Sequence, residues 1–304
     1  MSEEFEDLKP LSFEDDTDTF NTRPFENLNE EPVPLMGSSN EVKNKDSNFV
    51  FFFGTSESGK SVILSSMLYY LKSQAGDLRP KKGIPNTTEA EVLLSDFFEN
   101  ISQGILPSRT TRDKVTRLDL VFEPNNKSKK IQPINLTFLE TSGENHNEIR
   151  RGGSYHSSIE SYLNGKIPLT FIIVTSYDTA HKDDNLINNF FDILEKKEKN
   201  LRSINVILVV SKWDKSGKMG VDSIEELDDF VKVKLKMTNM RLNTFGLSKT
   251  FYTIGDVQSK NGEQKIAMLS LATAEVLSKW LYESIHGFPL DYEGTFWERL
   301  KFSF

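Results

Sequence analysis

Phe49-Val50-Phe51-Phe52-Phe53-Gly54-Thr55-Ser56-Glu57-Ser58-Gly59-Lys60-Ser61 runs from a continuous apolar stretch into a glycine-bounded octet, and an amphipathic stretch with Val62, Ile63, Met67, Leu68 and Leu71 follows. An apolar run ending in glycine suits a strand buried on both faces, as in a parallel sheet covered by helices. The octet Gly54 to Ser61 fits the pattern G-x-x-x-x-G-K-[ST], and each fixed position has a physical reason. Gly54 and Gly59 permit a turn tight enough for successive N–H groups, over Ser56, Glu57, Ser58, Gly59, Lys60, Ser61 and Val62, to point at phosphate oxygens. Lys60 brings positive charge to the β and γ phosphates. Ser61 offers a hydroxyl to Mg²⁺, and the helix that follows turns its positive dipole end toward the anion. By average residue usage the pattern arises by chance in on the order of one chain in a hundred of this length, and the flanking strand and helix make it rarer.

Around that stretch, the whole chain has 304 residues, 45 Asp plus Glu against 37 Lys plus Arg, a net charge of −8 and no cysteine. The missing cysteines exclude a disulfide scaffold, Cys-ligated zinc, an iron–sulfur cluster and thiol nucleophilic catalysis. No stretch approaches the ~18 consecutive apolar residues of a membrane helix. The start, Met1-Ser2-Glu3-Glu4-Phe5-Glu6-Asp7, is acidic and has neither a basic nor an apolar leader region, so the expected location is cytoplasmic. Residues 1–47 hold 13 acidic side chains against 4 basic ones, which leaves −9 on that segment and +1 on the rest. With Pro10, Pro24, Pro32 and Pro34 and no periodicity, this arm cannot bury enough apolar area to offset its ordering entropy, and it is expected to be disordered in isolation. Its aromatic-acidic words, Phe5-Glu6-Asp7-Leu8, Phe13-Glu14-Asp15 and Phe25-Glu26-Asn27-Leu28, suit either a solvated linker or docking motifs.

Further strand-like runs follow the octet. Ile134 to Leu139 leads into Glu140-Thr141-Ser142-Gly143-Glu144; Leu169 to Val174 is a buried run; Asn205 to Val210 ends in Ser211-Lys212-Trp213-Asp214; and Phe251-Tyr252-Thr253-Ile254-Gly255 closes a last short strand. Between the octet and Glu140, residues 77–85 are mostly polar and basic. Glu89 to Gln103 reads as an amphipathic helix on Val92, Leu93, Phe97, Phe98 and Ile101, and Val115 to Glu123 with Ile131 to Leu139 reads as a hairpin. Leu186 to Leu194 reads as a surface helix, and Leu269 to Tyr282 as a helix packing Leu269, Ala272, Val276 and Trp280 on the sheet.

The order and context of these motifs resemble those of the TRAFAC-type (Ras-like) GTPases over roughly residues 48–285. The resemblance implies an α/β fold, a P-loop NTPase three-layer sandwich with a mostly parallel central sheet, and it implies GTP or GDP with Mg²⁺ as ligands. Ser211-Lys212-Trp213-Asp214 is similar to the guanine-reading motif [NT]-K-x-D, in which the Asp214 carboxylate would accept from the guanine ring N–H and amine while the Lys212 stem packs over the base. Ser211 stands where Asn or Thr is usual, and its hydroxyl can still tie the loop down. Thr253, Ile254 and Gly255 would supply a backbone N–H to the guanine carbonyl. Glu140-Thr141-Ser142-Gly143 is similar to D-x-x-G, with Glu140 one methylene longer than the usual aspartate in the metal's water shell and Gly143 meeting the γ-phosphate.

Catalytic roles fall by the same resemblance on Lys60, Thr111, Gly143 and Glu144, and metal roles on Ser61, Thr111 and Glu140. Glu144 replaces the glutamine that positions the attacking water in many members; a carboxylate cannot donate as an amide does and repels the γ-phosphate, so slow hydrolysis is expected. His146 is a second candidate for that water, an exposed loop position being its ordinary alternative. Thr110 or Thr111, the latter favoured, would be the first-switch threonine, and Arg109 or Arg112 a cis arginine finger or solvated switch arginines. Gly104-Ile105-Leu106-Pro107-Ser108-Arg109-Thr110 is similar to the arrangement in bacterial GTPases encoded beside partner proteins, including the double-GTPase group. The second switch would span Glu144 to Ser158 around Arg150-Arg151-Gly152-Gly153.

Residues 286–304 crowd Phe288, Tyr292, Phe296, Trp297, Leu300, Phe302 and Phe304 into a short tail, which should fold back on the domain or dock a partner. Protein partners are expected through the switch loops, the acidic arm and this tail. A membrane surface could be met only at the tail, and no nucleic acid is expected, because the part after residue 47 is nearly neutral and has no basic stripe. Three readings follow: a slow GTP-hydrolysing switch, a nucleotide-binding scaffold without turnover, and a P-loop ATPase or nucleotide kinase, the last opposed by Lys212 and Asp214.

Overall fold

In the computed structural model the described residues are 46–84, 87–107, 115–141, 143–146, 149, 157–165, 167–197, 199–218, 221–260 and 263–293. The arm expected over residues 1–47 lies outside them except for Asp46 and Ser47, and so do Phe296 to Phe304 of the tail.

The apolar run becomes strand β1 (Asn48–Phe53), at the middle of a seven-stranded sheet. It is flanked by β4 (Ile134–Thr141) and β5 (Leu169–Ser176), both parallel to it. Beyond β5 come β6 (Asn205–Ser211) and β7 (Ser248–Phe251), also parallel, and beyond β4 come β3 (Val115–Pro124) and the edge strand β2 (Gly76–Pro80). Only β3 runs against its neighbours. Because β1 is covered on both faces, its side chains divide by the two-residue strand period: Val50 and Phe52 join one core, Phe49, Phe51 and Phe53 the other.

The first core is closed by α1 (Lys60–Tyr70), α2 (Thr87–Ser102) and α7 (Ala272–His286), through Ile63, Leu64, Met67, Leu94, Phe97 and Leu277. The second is closed by α3 (Ser157–Asn164), α4 (Ala180–Lys196), α5 (Val221–Lys234) and α6 (Lys236–Phe245). This is the three-layer α/β sandwich with a mostly parallel sheet that the motif order implies. Phe53 stacks on Phe190 of α4 with centroids 4.0 Å apart, and Phe171 meets Phe190 edge-on at 5.4 Å, a geometry that contributes beyond area burial alone.

The structure departs from the sequence reading in several places. The polar segment after α1 supplies β2, because an edge strand needs only one inward residue, here the buried Leu78. In α2 the buried positions are Ala90, Leu94, Phe97 and Ile101, while Val92 is 58% exposed. The last helix starts three residues later than the reading from Leu269, so its inward stripe is Ala274, Leu277, Leu281 and Tyr282, and Val276 faces solvent. Leu269 belongs instead to an antiparallel hairpin, β8 (Gly255–Lys260) and β9 (Glu263–Leu269), which the sequence reading did not include. Of the tail aromatics, Phe288 and Tyr292 fold back against one another, with the Lys130 ammonium 5.2 and 5.4 Å from their ring centres. Asn126 donates to the carbonyls of Leu290 and Tyr292 and fixes that return.

Phe190 is fully buried and holds both Phe53, the residue before Gly54, and Phe171. Phe190→Ala is expected to lower the unfolding free energy by about 3–5 kcal/mol, measured by urea denaturation.

Candidate functional site

Ligands of open parallel sheets bind beyond the carboxyl ends of the strands. There the segments after β1, β4, β6 and β7 surround one cavity of about 600 Å³. The phosphate-type loop gives it Ser56, Glu57, Gly59, Lys60, Ser61 and Val62; the end of β4 gives Glu140, Thr141 and Gly143; the loop after β6 gives Ser211, Lys212 and Asp214. Thr253 and Ile254 complete that side.

Lys60 reaches back over its own loop, and its Nζ donates to the carbonyls of Gly54 at 2.9 Å and Thr55 at 2.8 Å. Burial lowers the Lys60 pKa to about 8, against the opposing pull of the Glu140 and Asp183 carboxylates. Asp183, in the first turn of α4, is itself buried and accepts from Thr55 Oγ1 at 3.2 Å and Thr175 Oγ1 at 2.8 Å. The sequence reading missed this residue. The only available signal was a carboxylate at the start of a helix that follows a buried strand.

Glu57 takes φ 63 within the loop, a left-handed conformation uncommon outside glycine. Gly143 lies hard against the same loop: a Cβ there would sit 1.9 Å from Ser56 N, so this position excludes every side chain. Glu144 belongs to the short 3₁₀ turn Gly143–His146, and its side chain lies outside the described residues, as do Arg109, Thr110, Thr111, Arg112 and residues 150–153. His146 is not the exposed loop residue of its ordinary alternative. It is 1% exposed, with its ring centre 4.5 Å from that of Phe53 in a tilted contact, and paired with Thr141 Oγ1 at 3.4 Å. It does not line the cavity, because the turn directs it into the aromatic core.

Ser61 Oγ donates to Glu140 Oε1 at 2.5 Å. A hydroxyl and a carboxylate side by side at the mouth of a phosphate-type loop form the hard oxygen donor set that suits Mg²⁺, which typically takes one or two protein oxygens and completes its shell from substrate phosphates and water. Among the described residues no group of three or more His, Cys, Asp or Glu could hold a metal by itself. A site completed by a ligand's own oxygens is therefore the arrangement these residues fit.

The opposite side of the cavity is built around Lys212, at φ 55, whose conformation turns the chain sharply out of β6. Its Nζ lies 3.9 Å from Asp178, which also pairs with Lys215. Trp213 points away into the core, stacked on Phe251 at 5.5 Å, so that Lys212 and Asp214 are left facing the cavity. Thr253 Oγ1 lies 3.4 Å from Asp214 Oδ1. Gly255 begins β8 with its N–H 3.2 Å from Thr253 Oγ1. Gly54 and Ser58 are buried beneath the loop and do not line the cavity.

Two bonds join the halves of the site. Ser211 Oγ donates to Ser58 O at 2.6 Å, and Tyr252 OH pairs with Ser66 Oγ of α1 at 2.6 Å. Burial keeps the Tyr252 phenol protonated well above its usual range.

The fold is that of a P-loop NTPase. No family model and no curated protein matches the chain. Similar solved structures include the signal recognition particle receptor SRb-GTP/SRX complex from Chaetomium thermophilum, at 14% identity over 78% of this chain and 98% of that one with a TM-score of 0.40. A probable GTP-binding protein engB matches at 14% identity over 79% and 99%, TM-score 0.36, and Methanosarcina barkeri Roco2 RocCORdC bound to GDP at 11% over 66% and 48%, TM-score 0.29. No helix among the described residues of this P-loop domain is long and apolar enough to cross a membrane.

The Ser211 bond satisfies a buried carbonyl of the phosphate-type loop. Removing it by Ser211→Ala leaves Ser58 O without that donor, and a loss of ~1–3 kcal/mol is expected from urea unfolding.

Proposed function

We propose that the chain is a GTP-binding switch that hydrolyses GTP slowly to GDP and phosphate. The observation that carries this reading is that Asp214 and Lys212 share one cavity with the Gly54–Ser61 loop, and that Ser211, from the same tetrapeptide, is bonded directly to that loop. A phosphate-binding loop alone suits any nucleoside triphosphate. A carboxylate fixed at the far side of the same cavity favours a base that presents two donors to it. Guanine does so with its ring N–H and amine; adenine would leave the carboxylate unsatisfied.

In this reading the N–H groups of the loop and the α1 dipole hold the phosphates, and Lys60 exchanges its bonds to Gly54 O and Thr55 O for phosphate oxygens. Ser61 and Glu140 are the residues that would hold Mg²⁺, which when bound would neutralise phosphate charge as a Lewis acid. Gly143 packs against the loop, and in this reading its N–H meets the γ-phosphate. Glu144 opposes hydrolysis by charge, and its place in the sequence also supports a second reading, a nucleotide-binding scaffold without turnover. Partner contact through the two switch loops, the acidic arm and the aromatic tail belongs to the proposal, as does a cytoplasmic location.

Nucleotide released from denatured purified protein should be GDP or GTP; adenine nucleotide, or no measurable GTP affinity, overturns the guanine assignment. Asp214→Asn should lose GDP affinity by roughly a hundredfold or more and gain xanthosine diphosphate, because the amide donates where the carboxylate accepted; unchanged GDP binding in a titration would show that Asp214 does not read the base. Chelating magnesium with EDTA should speed GDP release by roughly tenfold or more, followed by displacement of a fluorescent GDP analogue. Phosphate release measured with and without candidate partners separates the switch from the scaffold.

A further inference from the structure

The hairpin β8–β9 is inserted directly after Thr253-Ile254, and its pairing register gives it two unlike faces. Val257 is opposite Ile266 and Ser259 opposite Gln264, so these four side chains share one face by the strand period, while Gln258 and Lys265 share the other. On the first face Ile266 is buried in the core, and Val257, Ser259 and Gln264 line the same cavity as Lys60 and Asp214.

A third segment docks on the hairpin. The Ile266 N–H donates to Gly104 O at 2.8 Å, and Ile105 bridges antiparallel to Lys265. Gly104 has φ +70, and a Cβ there would meet Ile266 O at 2.7 Å, so the close approach requires glycine. The docking sets Leu106 and Pro107 on the cavity wall beside the hairpin. None of these residues belongs to the phosphate loop or to the guanine-reading tetrapeptide.

We infer that this hairpin, with the Gly104–Pro107 segment docked on it, forms the nucleoside wall of the site, in which Val257 and Leu106 pack on the apolar surface of the nucleoside and Ser259 and Gln264 hydrogen-bond the ribose hydroxyls. Chain position supports the assignment to the nucleoside. β8 begins at Gly255, one residue past the Thr253-Ile254 pair that adjoins Asp214, so its cavity-facing residues enter from the base side and not from the phosphate side. The chemistry agrees: the phosphate side offers a lysine and main-chain N–H groups, whereas the hairpin offers a methyl-bearing side chain, a hydroxyl and an amide, which suit a sugar and an uncharged ring. A primary amide and a hydroxyl can each donate and accept, as vicinal ribose hydroxyls require.

The inference rests on the guanine-nucleotide reading, and the experiment separates the two. GDP, ADP and 2′-deoxy-GDP are titrated calorimetrically into wild-type protein and into Gln264→Ala, Ser259→Ala, Val257→Asp and Gly104→Val. Gln264 and Ser259 are exposed, so their truncation does not threaten folding; circular dichroism and thermal melting check the other two. Wild type should prefer GDP over 2′-deoxy-GDP. Gln264→Ala with Ser259→Ala should bring that ratio close to unity, through weaker GDP binding and little change for the deoxy analogue. Val257→Asp and Gly104→Val should each weaken both guanine nucleotides by about tenfold. If wild type prefers GDP over ADP but the folded variants bind GDP as wild type does and keep its deoxy ratio, the hairpin is only a structural insertion and the inference is overturned. If wild type does not prefer GDP over ADP, the guanine reading fails first, and with it the inference.

Discussion

The Lys60 ammonium is withdrawn to 6% exposure, with two of its protons given to the carbonyls of Gly54 and Thr55. A charge in that position is tolerated only if its surroundings compensate it, and the elements around the site converge on this task. The end of β4 brings Glu140, and the start of α4 brings Asp183, which in turn holds Thr55 and so the carbonyl that Lys60 uses. Within the loop the Ser58 N–H donates to Thr55 O at 3.4 Å. The loop keeps its shape because its carbonyls and side chains are bonded from behind, by Lys60, Asp183 and Ser211.

The aromatic core transmits that order to the sheet. Phe53, the last residue of β1, is clamped between Phe190 and His146, so the point at which the chain leaves the strand is fixed by ring contacts on α4 and on the turn after Gly143. Trp213 does the same for the other half of the cavity, with Phe251, Phe230 and Tyr177 around it. Both loops that face the cavity are thus anchored by a buried aromatic residue at or beside their first turn, while the polar residues next to it remain at the cavity.

Much of this was legible in the sequence because it depends on short-range pattern. The Phe49–Phe53 run, the octet and the strand ends at Glu140 and Ser211 each carry their geometry in adjacent residues. What the sequence did not disclose depends on distant partners. Asp183 looks like any acidic residue opening a helix until Thr55 and Thr175 are brought to it. His146 is read as a loop histidine until the Phe53 ring packs against it. The β8–β9 hairpin has few apolar residues, since only Val257 and Ile266 face inward near its centre, and its alternation is interrupted by a bulge at Asp256 and Val257. The tail needed Asn126 and Lys130, more than 150 residues earlier, before its aromatics had a surface to return to.

The edge strand β2 has a consequence for association between copies. A sheet edge offers unpaired main-chain groups to any neighbouring strand. Here that edge is only Gly76–Pro80, it ends in a residue without an N–H, and it carries Asp77 and Arg79, which pair with Lys72, Glu123 and one another. A second molecule adding a strand to β2 would have to desolvate this cluster of charges within five residues of contact, and it would gain few hydrogen bonds in return. The strand that extends the sheet beyond β3 thereby also ends it, closing that edge to growth by strand addition.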